Sequence, residues 1–184
     1  MKRIKQNNKG AIVVIVLLVC SVLISASTAL LSTSVMNFKM KKLNSRVKRV
    51  FYTAEGALEE AYIIAVGFVE SAMEYANNNE NFNAAYLDYL LGDCEDLEEN
   101  NGLVEVLKDK KSYFIYKECN TQIHAELFDK ADFFQLEILA CSIDDKVEKE
   151  LKLICKILIP EDGFLMDSVN PEDLICVVDW KLER

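Results

Sequence analysis

Proline and glycine are scarce in this chain, with two and six residues among 184. A chain so poor in both has no Pro/Gly-rich linker between domains and no glycine-rich loop of the kind that cradles phosphate groups. Histidine occurs once, which excludes a metal site built from several histidines. The nucleophile motif G-x-S-x-G is also missing. These absences point away from an enzyme, and no cofactor is expected.

The six cysteines stand singly, without a C-x-x-C pair, so the spacing gives no strong zinc or redox motif. Cys20 lies in an apolar run, and the other five are an odd number that cannot all pair with one another. Four of them fall in predicted strands, mostly among apolar neighbours. We therefore expect buried free thiols that behave as small apolar side chains at Cys119, Cys141, Cys155 and Cys176.

Acidic residues are absent from the first 49 positions, where ten lysines and arginines lie. The other positions carry all 30 acids and 11 basic residues, a net charge of −19. The formal charge of −9 therefore hides a basic arm and an acidic body. Such a body offers no face for the phosphates of nucleic acid, whereas the arm suits anionic lipid headgroups. No nucleic-acid partner is expected.

An uninterrupted apolar run occupies residues 11–31. These 21 residues contain no charge, proline or glycine. As a helix they would measure roughly 31 Å, about the thickness of the hydrocarbon core of a bilayer. Basic residues flank both ends, and a ten-residue leader is easily retained in the cytoplasm. The sequence predicts a single-pass helix in the cell membrane, surrounded by lipid, with a cytoplasmic N-terminus and an extracytoplasmic body.

The helix is predicted to continue beyond the membrane. Apolar residues recur at three- and four-residue steps through residues 35–76, and asparagines at 77–81 end the pattern. The chain then divides into four parts: a basic leader (1–10), a transmembrane or filament-core helix (11–34), its amphipathic continuation (35–76) and a headpiece (77–184).

Small side chains cluster within the second half of the apolar run, at Ser25, Ala26, Ser27 and Ala29. Small residues let helix backbones approach each other closely in lipid, where no hydrophobic force drives association. These four are candidate helix-packing residues. The alternative is that they merely lie near the membrane interface.

The headpiece pattern predicts an α+β fold, in which an antiparallel sheet packs on the C-terminal half of the long helix. A short helix is expected over 81–91, closed by Gly92. From Leu103 the apolar period changes to two, and Leu174, Cys176, Val178 and Trp180 are expected to line the last strand. The expected strands cover residues 103–107, 112–119, 121–128, 133–143, 147–159 and 173–182.

Two polar features of the headpiece have ordinary explanations. Residues 93–99 are strongly acidic, but their spacing does not match the alternating ligands and central glycine of an EF-hand calcium loop. A solvated loop is preferred, and no metal site is predicted. His124 falls on the polar side of a predicted strand, where an exposed strand residue is preferred over a catalytic base.

The N-terminal third resembles the PilX-type minor pilins of type IV pili. A basic leader, Gly10, a small residue and the apolar run are similar to a class III prepilin signal. Residues 51–61, FYTAEGALEEA, are similar to the stretch Y-x-A-E-x-G/A-L-x-x-A of those proteins. The resemblance implies that a prepilin peptidase cuts between Gly10 and Ala11 and methylates the Ala11 amine. It also implies other pilin-like subunits as partners of the N-terminal helix.

One position departs from the common pilin pattern. The fifth residue after the predicted cut is Ile15, where most pilins carry a glutamate. A carboxylate in lipid is costly unless it is paired, so its loss removes an attraction between subunits. PilX-type proteins and K-type pseudopilins of type II secretion are similar in lacking it. The resemblance implies a low-abundance subunit, at the tip of a filament or in its initiation.

Two other classes fit parts of the pattern. One is a secreted protein, cleaved by signal peptidase after Ser27. The other is an unprocessed single-span protein with an extracytoplasmic binding domain. The mature N-terminal residue separates the three classes, because it would be Ala11 for a pilin, Thr28 for the secreted protein and Met1 for the unprocessed one.

Overall fold

The computed structural model describes residues 9–94, 101–109, 119–130, 132–160 and 171–183. The chain divides into two compact units, the first ending at Ser45 and the second beginning at Arg46. Helix α1, Lys9–Asn77, contributes to both units. The described part of the first unit is entirely helical, and its side chains from Ala11 to Ser45 are exposed.

The second unit contains the rest of α1, two short helices and a four-stranded sheet. Its helices are α2 (Phe82–Leu91) and α3 (Leu103–Asp109). Its strands are β1 (Asn120–Lys130), β2 (Phe133–Asp144), β3 (Val147–Leu158) and β4 (Ile175–Leu182). A single turn of helix, α4 (Pro171–Leu174), leads into β4. The predicted α+β class is confirmed, with the long helix packed on an antiparallel sheet.

The end of α1 and the start of α2 follow from their asparagines and a glycine. The side chains of Asn78 and Asn79 donate to the carbonyls of Glu74 and Tyr75 at the end of α1, and the N–H of Asn78 also donates to the carbonyl of Tyr75. The side chain of Asn81 accepts from the N–H of Ala84 and caps α2. Gly92 closes α2 with φ of 83°, a left-handed conformation that favours glycine.

The sheet is an antiparallel meander in the order β1-β2-β3-β4. Strands β2 and β3 pair without a break from Phe133↔Leu158 to Asp144↔Val147. Their connection is a two-residue turn in which Asp145 adopts φ of 58°. Strands β1, β2 and β3 lie where the sequence alternation predicts them, because each buries one face and exposes the other.

The core of the second unit lies between α1 and one face of the sheet. Alanines are the commonest buried residues on the helix side. The hydroxyl of Tyr62 also donates to the carbonyl of Ile175 at 3.5 Å. Fully buried core residues include Ala54, Leu58, Ala61 and Ala65 of α1, Leu136, Ile138 and Ala140 of β2, and Leu153, Cys155 and Ile157 of β3.

The prediction of a strand at 103–107 was wrong, because these residues form α3. Leu103 and Leu107 are buried, and a spacing of four fits both a strand face and one face of a helix. The carbonyl of Gly102 accepts from the N–H groups of Glu105 and Val106, which starts the helix. A five-residue alternation is too short to separate the two periods.

The predicted last strand is present as β4, but its predicted phase holds only at Trp180. Ile175, Val177 and Trp180 pair with residues of β3 that face α1, whereas Cys176 is exposed and Leu174 belongs to α4. A β-bulge leaves Val178 without a partner in the register and 63% exposed. One extra residue in a strand reverses which side chains face the core. The alternation that holds at Trp180 is therefore reversed for the residues before Val178.

Two predictions fall outside the described residues. The strand predicted over 112–119 reaches only Cys119 within them, and Cys119 precedes β1. The acidic run over 93–99 lies outside them from residue 95 onward.

Candidate membrane and assembly segment

The N-terminal part of α1 exposes a long apolar surface. Large apolar side chains from Ile12 to Leu31 are about half exposed or more, reaching 73% at Leu30. None of the residues in the most apolar part of this helix is buried. The helix is long and apolar enough to cross a membrane. We call residues 11–31 the apolar segment, which is compatible with a membrane anchor.

The polar atoms of the apolar segment are largely satisfied by its own backbone. The hydroxyls of Ser21, Ser25 and Thr28 donate to carbonyls three residues earlier, at 2.8–2.9 Å. The hydroxyl of Ser27 donates to the carbonyl of Leu23 at 2.8 Å. A hydroxyl bonded in this way adds little cost to a helix in hydrocarbon, where an unpaired polar group costs several kcal/mol. These residues are therefore consistent with lipid around the segment.

The predicted processing residues lie at the start of α1. Gly10 and Ala11 are both exposed and helical. A Cβ built on Gly10 would meet no atom within 4 Å, and the backbone has no left-handed conformation there. Neither packing nor backbone geometry within the described chain requires glycine at this position.

The four predicted helix-packing residues are all exposed, and they do not share one face. At about 100° per residue, Ser25 and Ala29 lie on one side of α1, together with Ser21 and Ser32. Ala26 and Ser27 point to other sides. A stripe of small residues thus passes through Ser25 and Ala29, and only these two of the predicted set belong to it.

A basic stretch follows the apolar segment. Lys39, Lys41, Lys42 and Lys48 are exposed. Arg46, by contrast, donates to a carboxylate oxygen of Asp145 in the β2–β3 turn, at 3.1 Å. Residues 36–49 contain no acid. The exposed lysines are placed where a helix leaving a membrane would meet anionic headgroups.

The sheet face that points away from α1 carries ionisable side chains. Lys152 donates to Glu137 at 2.6 Å, and Gln135 donates to the other oxygen of that carboxylate at 2.6 Å. The hydrogen bond from Lys152 lowers the pKa of Glu137. His124 is exposed and lines an open depression of about 150 Å³ beside this pair. A carboxylate held ionised by an ammonium is a poor proton acceptor, so this is the geometry of a surface ion pair.

The cysteines are free, but the expected burial is only partly confirmed. Cys119 and Cys155 are buried, Cys141 is half-buried and Cys176 is exposed. Burial raises the pKa of the Cys155 thiol to about 12, as expected for an inert core thiol. Cys176 is exposed because the β4 bulge changes the face on which it lies.

Sequence reasoning missed the surroundings of Cys141. Its side chain lies on the outer face of the sheet beside Glu148 and Glu150. The signal was present in the alternation, since Ile138 and Ala140 point to the core and Cys141 must then point outward.

Comparisons of the chain with protein-family models, with curated proteins and with solved structures gave no match. The fold and the local chemistry of the residues therefore carry the functional argument.

Proposed function

We propose that the chain is a minor pilin or pseudopilin, a non-enzymatic structural or assembly subunit of a filament of the type IV pilus or type II secretion kind. It is inserted in the membrane through the apolar segment. A prepilin peptidase then cuts before Ala11 and methylates the new amine. On assembly the segment exchanges lipid for the helices of other pilin-like subunits. Lacking a glutamate at the fifth mature position, occupied by Ile15, the subunit belongs at the tip or in initiation.

The observation that carries this proposal is the division of α1 between two environments. Its residues from Ala54 onward supply one side of a core, while Ile12 to Leu31 have no covering atoms within the described chain. Removing apolar surface from water is favourable by about 25 cal/mol per Å². A helix with this much exposed apolar surface is therefore stable only among lipid or partner helices. A subunit that is first inserted in a membrane and then assembled in a filament would be surrounded by lipid in the first state and by partner helices in the second.

Exposure beyond the apolar core disfavours the secreted alternative. Cleavage after Ser27 would leave Leu30, Leu31 and Phe38 in the mature protein, with exposed fractions of 73%, 66% and 69%. A soluble protein would carry this apolar stretch into water. The single-span alternative remains, and it differs in leaving the leader attached.

Gly10 provides the test, because its replacement does not disturb the fold. A Cβ at this position meets open space, so Gly10→Leu changes recognition by the peptidase without a steric penalty inside the chain. We expect co-expression with a prepilin peptidase to shorten the wild-type chain by the ten-residue leader. The Gly10→Leu variant should stay at full length in the membrane fraction.

A matched control is Gly67→Leu, a second helical glycine with open space around it. This variant should be processed like the wild type. Equal processing of Gly10→Leu and wild type, or no processing of the wild type, would exclude the prepilin mechanism.

A further inference from the structure

We propose that Cys141, Glu148 and Glu150 form a binding site for a divalent transition metal of the zinc class, on the sheet face that points away from α1. The inference concerns only the second unit and does not depend on the proposed pilin function.

The sheet register brings the three side chains together. Cys141 of β2 pairs directly with Glu150 of β3. Glu148 lies two residues before Glu150, so it is on the same face. The thiol sulfur and one oxygen of each carboxylate lie within 4.8 Å of one another. Donors at about 2.0–2.3 Å from an ion in a tetrahedral site are about 3.3–3.8 Å apart. The donors must therefore approach one another by up to about 1 Å when the ion binds.

The donor set selects the kind of ion. One sulfur and two carboxylate oxygens suit zinc and related transition ions, whereas calcium and magnesium take oxygen ligands. Three protein ligands leave a fourth position for water, as in an open tetrahedral site. The ion would be bound at the surface of a rigid strand pair, next to the two-residue turn that fixes the register.

The charges around the site favour a cation. Elsewhere on the same face Glu137 forms an ion pair with Lys152, and Asp179 forms one with Lys181 at 2.7 Å. Among the residues that the structure describes, neither Glu148 nor Glu150 forms an ion pair with a lysine or arginine. The side chain of Glu148 instead accepts a hydrogen bond from the Cys141 thiol at 3.5 Å. Two carboxylates and a thiol thus lie together without a lysine or arginine partner among the described residues.

The thiol proton occupies the place that the metal would take. Burial and the two nearby carboxylates raise the pKa of Cys141 to about 11, so the free thiol is protonated at neutral pH. Binding replaces this proton: the S–H bond breaks, a metal–sulfur bond forms and one proton is released to solvent.

The experiment uses the full-length chain in detergent micelles, reduced and freed of metal, titrated with Cd²⁺ and Zn²⁺. Cadmium bound to a thiolate gives a sulfur-to-metal charge-transfer absorption, which reports on the sulfur itself. We expect this absorption to saturate at one equivalent of Cd²⁺, and Zn²⁺ to displace the ion. Calcium should not compete.

Three variants decide the assignment. Cys141→Ser should abolish the absorption, whereas Cys176→Ser, which removes an exposed cysteine elsewhere on the sheet, should leave it intact. Changing both Glu148 and Glu150 to Gln should weaken binding by at least about tenfold, since loss of even a supporting group commonly costs that much. Far-ultraviolet circular dichroism checks that each variant is folded.

Three outcomes would overturn the proposal: an unchanged absorption in Cys141→Ser, unchanged affinity in the double glutamine variant, or several equivalents of Cd²⁺ taken up without saturation, which is adventitious binding to an acidic surface. If Cys141→Ser does not fold, alkylation of Cys141 in the wild type replaces it. Zinc should then protect Cys141 but not Cys176, and equal alkylation with and without zinc would contradict the site.

Discussion

Two glycines of this chain differ in whether their surroundings would admit a side chain. Gly67 and Gly102 are both followed by helical residues, but only Gly102 is packed against backbone. A Cβ there would overlap the carbonyl carbon and oxygen of Leu91, whereas at Gly67 it would meet nothing within 4 Å. Packing therefore requires glycine at position 102 but not at position 67.

Gly102→Ala should lower the free energy of unfolding by about 1–3 kcal/mol, because backbone around Leu91 must move to admit the new carbon. Gly67→Ala should be neutral or raise it by up to about 1 kcal/mol, since alanine is the better helix former. Urea unfolding of both variants in detergent measures the difference. A Gly102→Ala protein as stable as Gly67→Ala would contradict the close contact.

The Glu137–Lys152 ion pair is expected to make a pH-dependent contribution to the stability of the fold. Lys152 lowers the pKa of Glu137 in the folded chain from its ordinary value of 4.5. The pair therefore stabilises the fold above that ordinary value, and its contribution is lost as the pH falls through the lowered folded pKa. Because both side chains are partly exposed, the contribution is at most about 1 kcal/mol.

Glu137→Gln should accordingly destabilise the protein slightly at neutral pH and not at all in acid, where Glu137 is itself protonated. Urea midpoints of wild type and variant, measured across this pH range, test it. The double change with Lys152→Gln isolates the coupling between the two groups. A difference that grows toward low pH would have the wrong sign for this ion pair.

At the scale of elements, the helix-facing side of α1 and the strands β1–β3 could be predicted because their periods are sustained. Ala54, Leu58, Ala61 and Ala65 repeat at three and four residues, and all are fully buried. The α3 helix and the β4 phase could not be predicted. Leu103 and Leu107 fit two periods, and nothing in the letters around Val178 marks a bulge.

The same periodicity gives a matched pair of substitutions on α1. Leu58 is fully buried against the sheet, and Leu58→Ala should cost about 2–5 kcal/mol, because a cavity replaces its side chain. Ile63 is 69% exposed on the same helix, and Ile63→Ala should change stability by about 0.5 kcal/mol or less. Thermal or urea unfolding measures both. Equal effects would show that α1 does not pack on the sheet through the face of Leu58.

For the candidate site, prediction from the sequence reached the segment but not its detail. The apolar run of residues 11–31 is evident from composition alone. Its side chains are exposed in the structure, as expected for a segment that lies outside the core. Which small residues share a face follows from helix geometry and selects Ser25 and Ala29 over Ala26 and Ser27. The outward direction of Cys141 could be predicted from the strand alternation, but its proximity to Glu148 and Glu150 also depends on the strand register, which joins residues seven and nine positions apart.

At the scale of the whole molecule, the chain joins an acidic α+β body to an apolar helical segment that lacks a covering partner within the described residues. The exposure of the segment and its internally bonded hydroxyls are compatible with a membrane anchor. Packing within the described residues does not require the helical glycine at position 10, which the proposed function assigns to recognition by a prepilin peptidase. The absence of acids before residue 50 keeps the segment and its flanks free of buried negative charge.

The most direct test of this account is the N-terminal residue of the mature protein, read by mass spectrometry on material extracted from native membranes. The account predicts Ala11, carrying a methyl group on its amine, with the whole apolar segment still attached. A mature protein that begins at Thr28, or one that keeps Met1 and the leader, would contradict it.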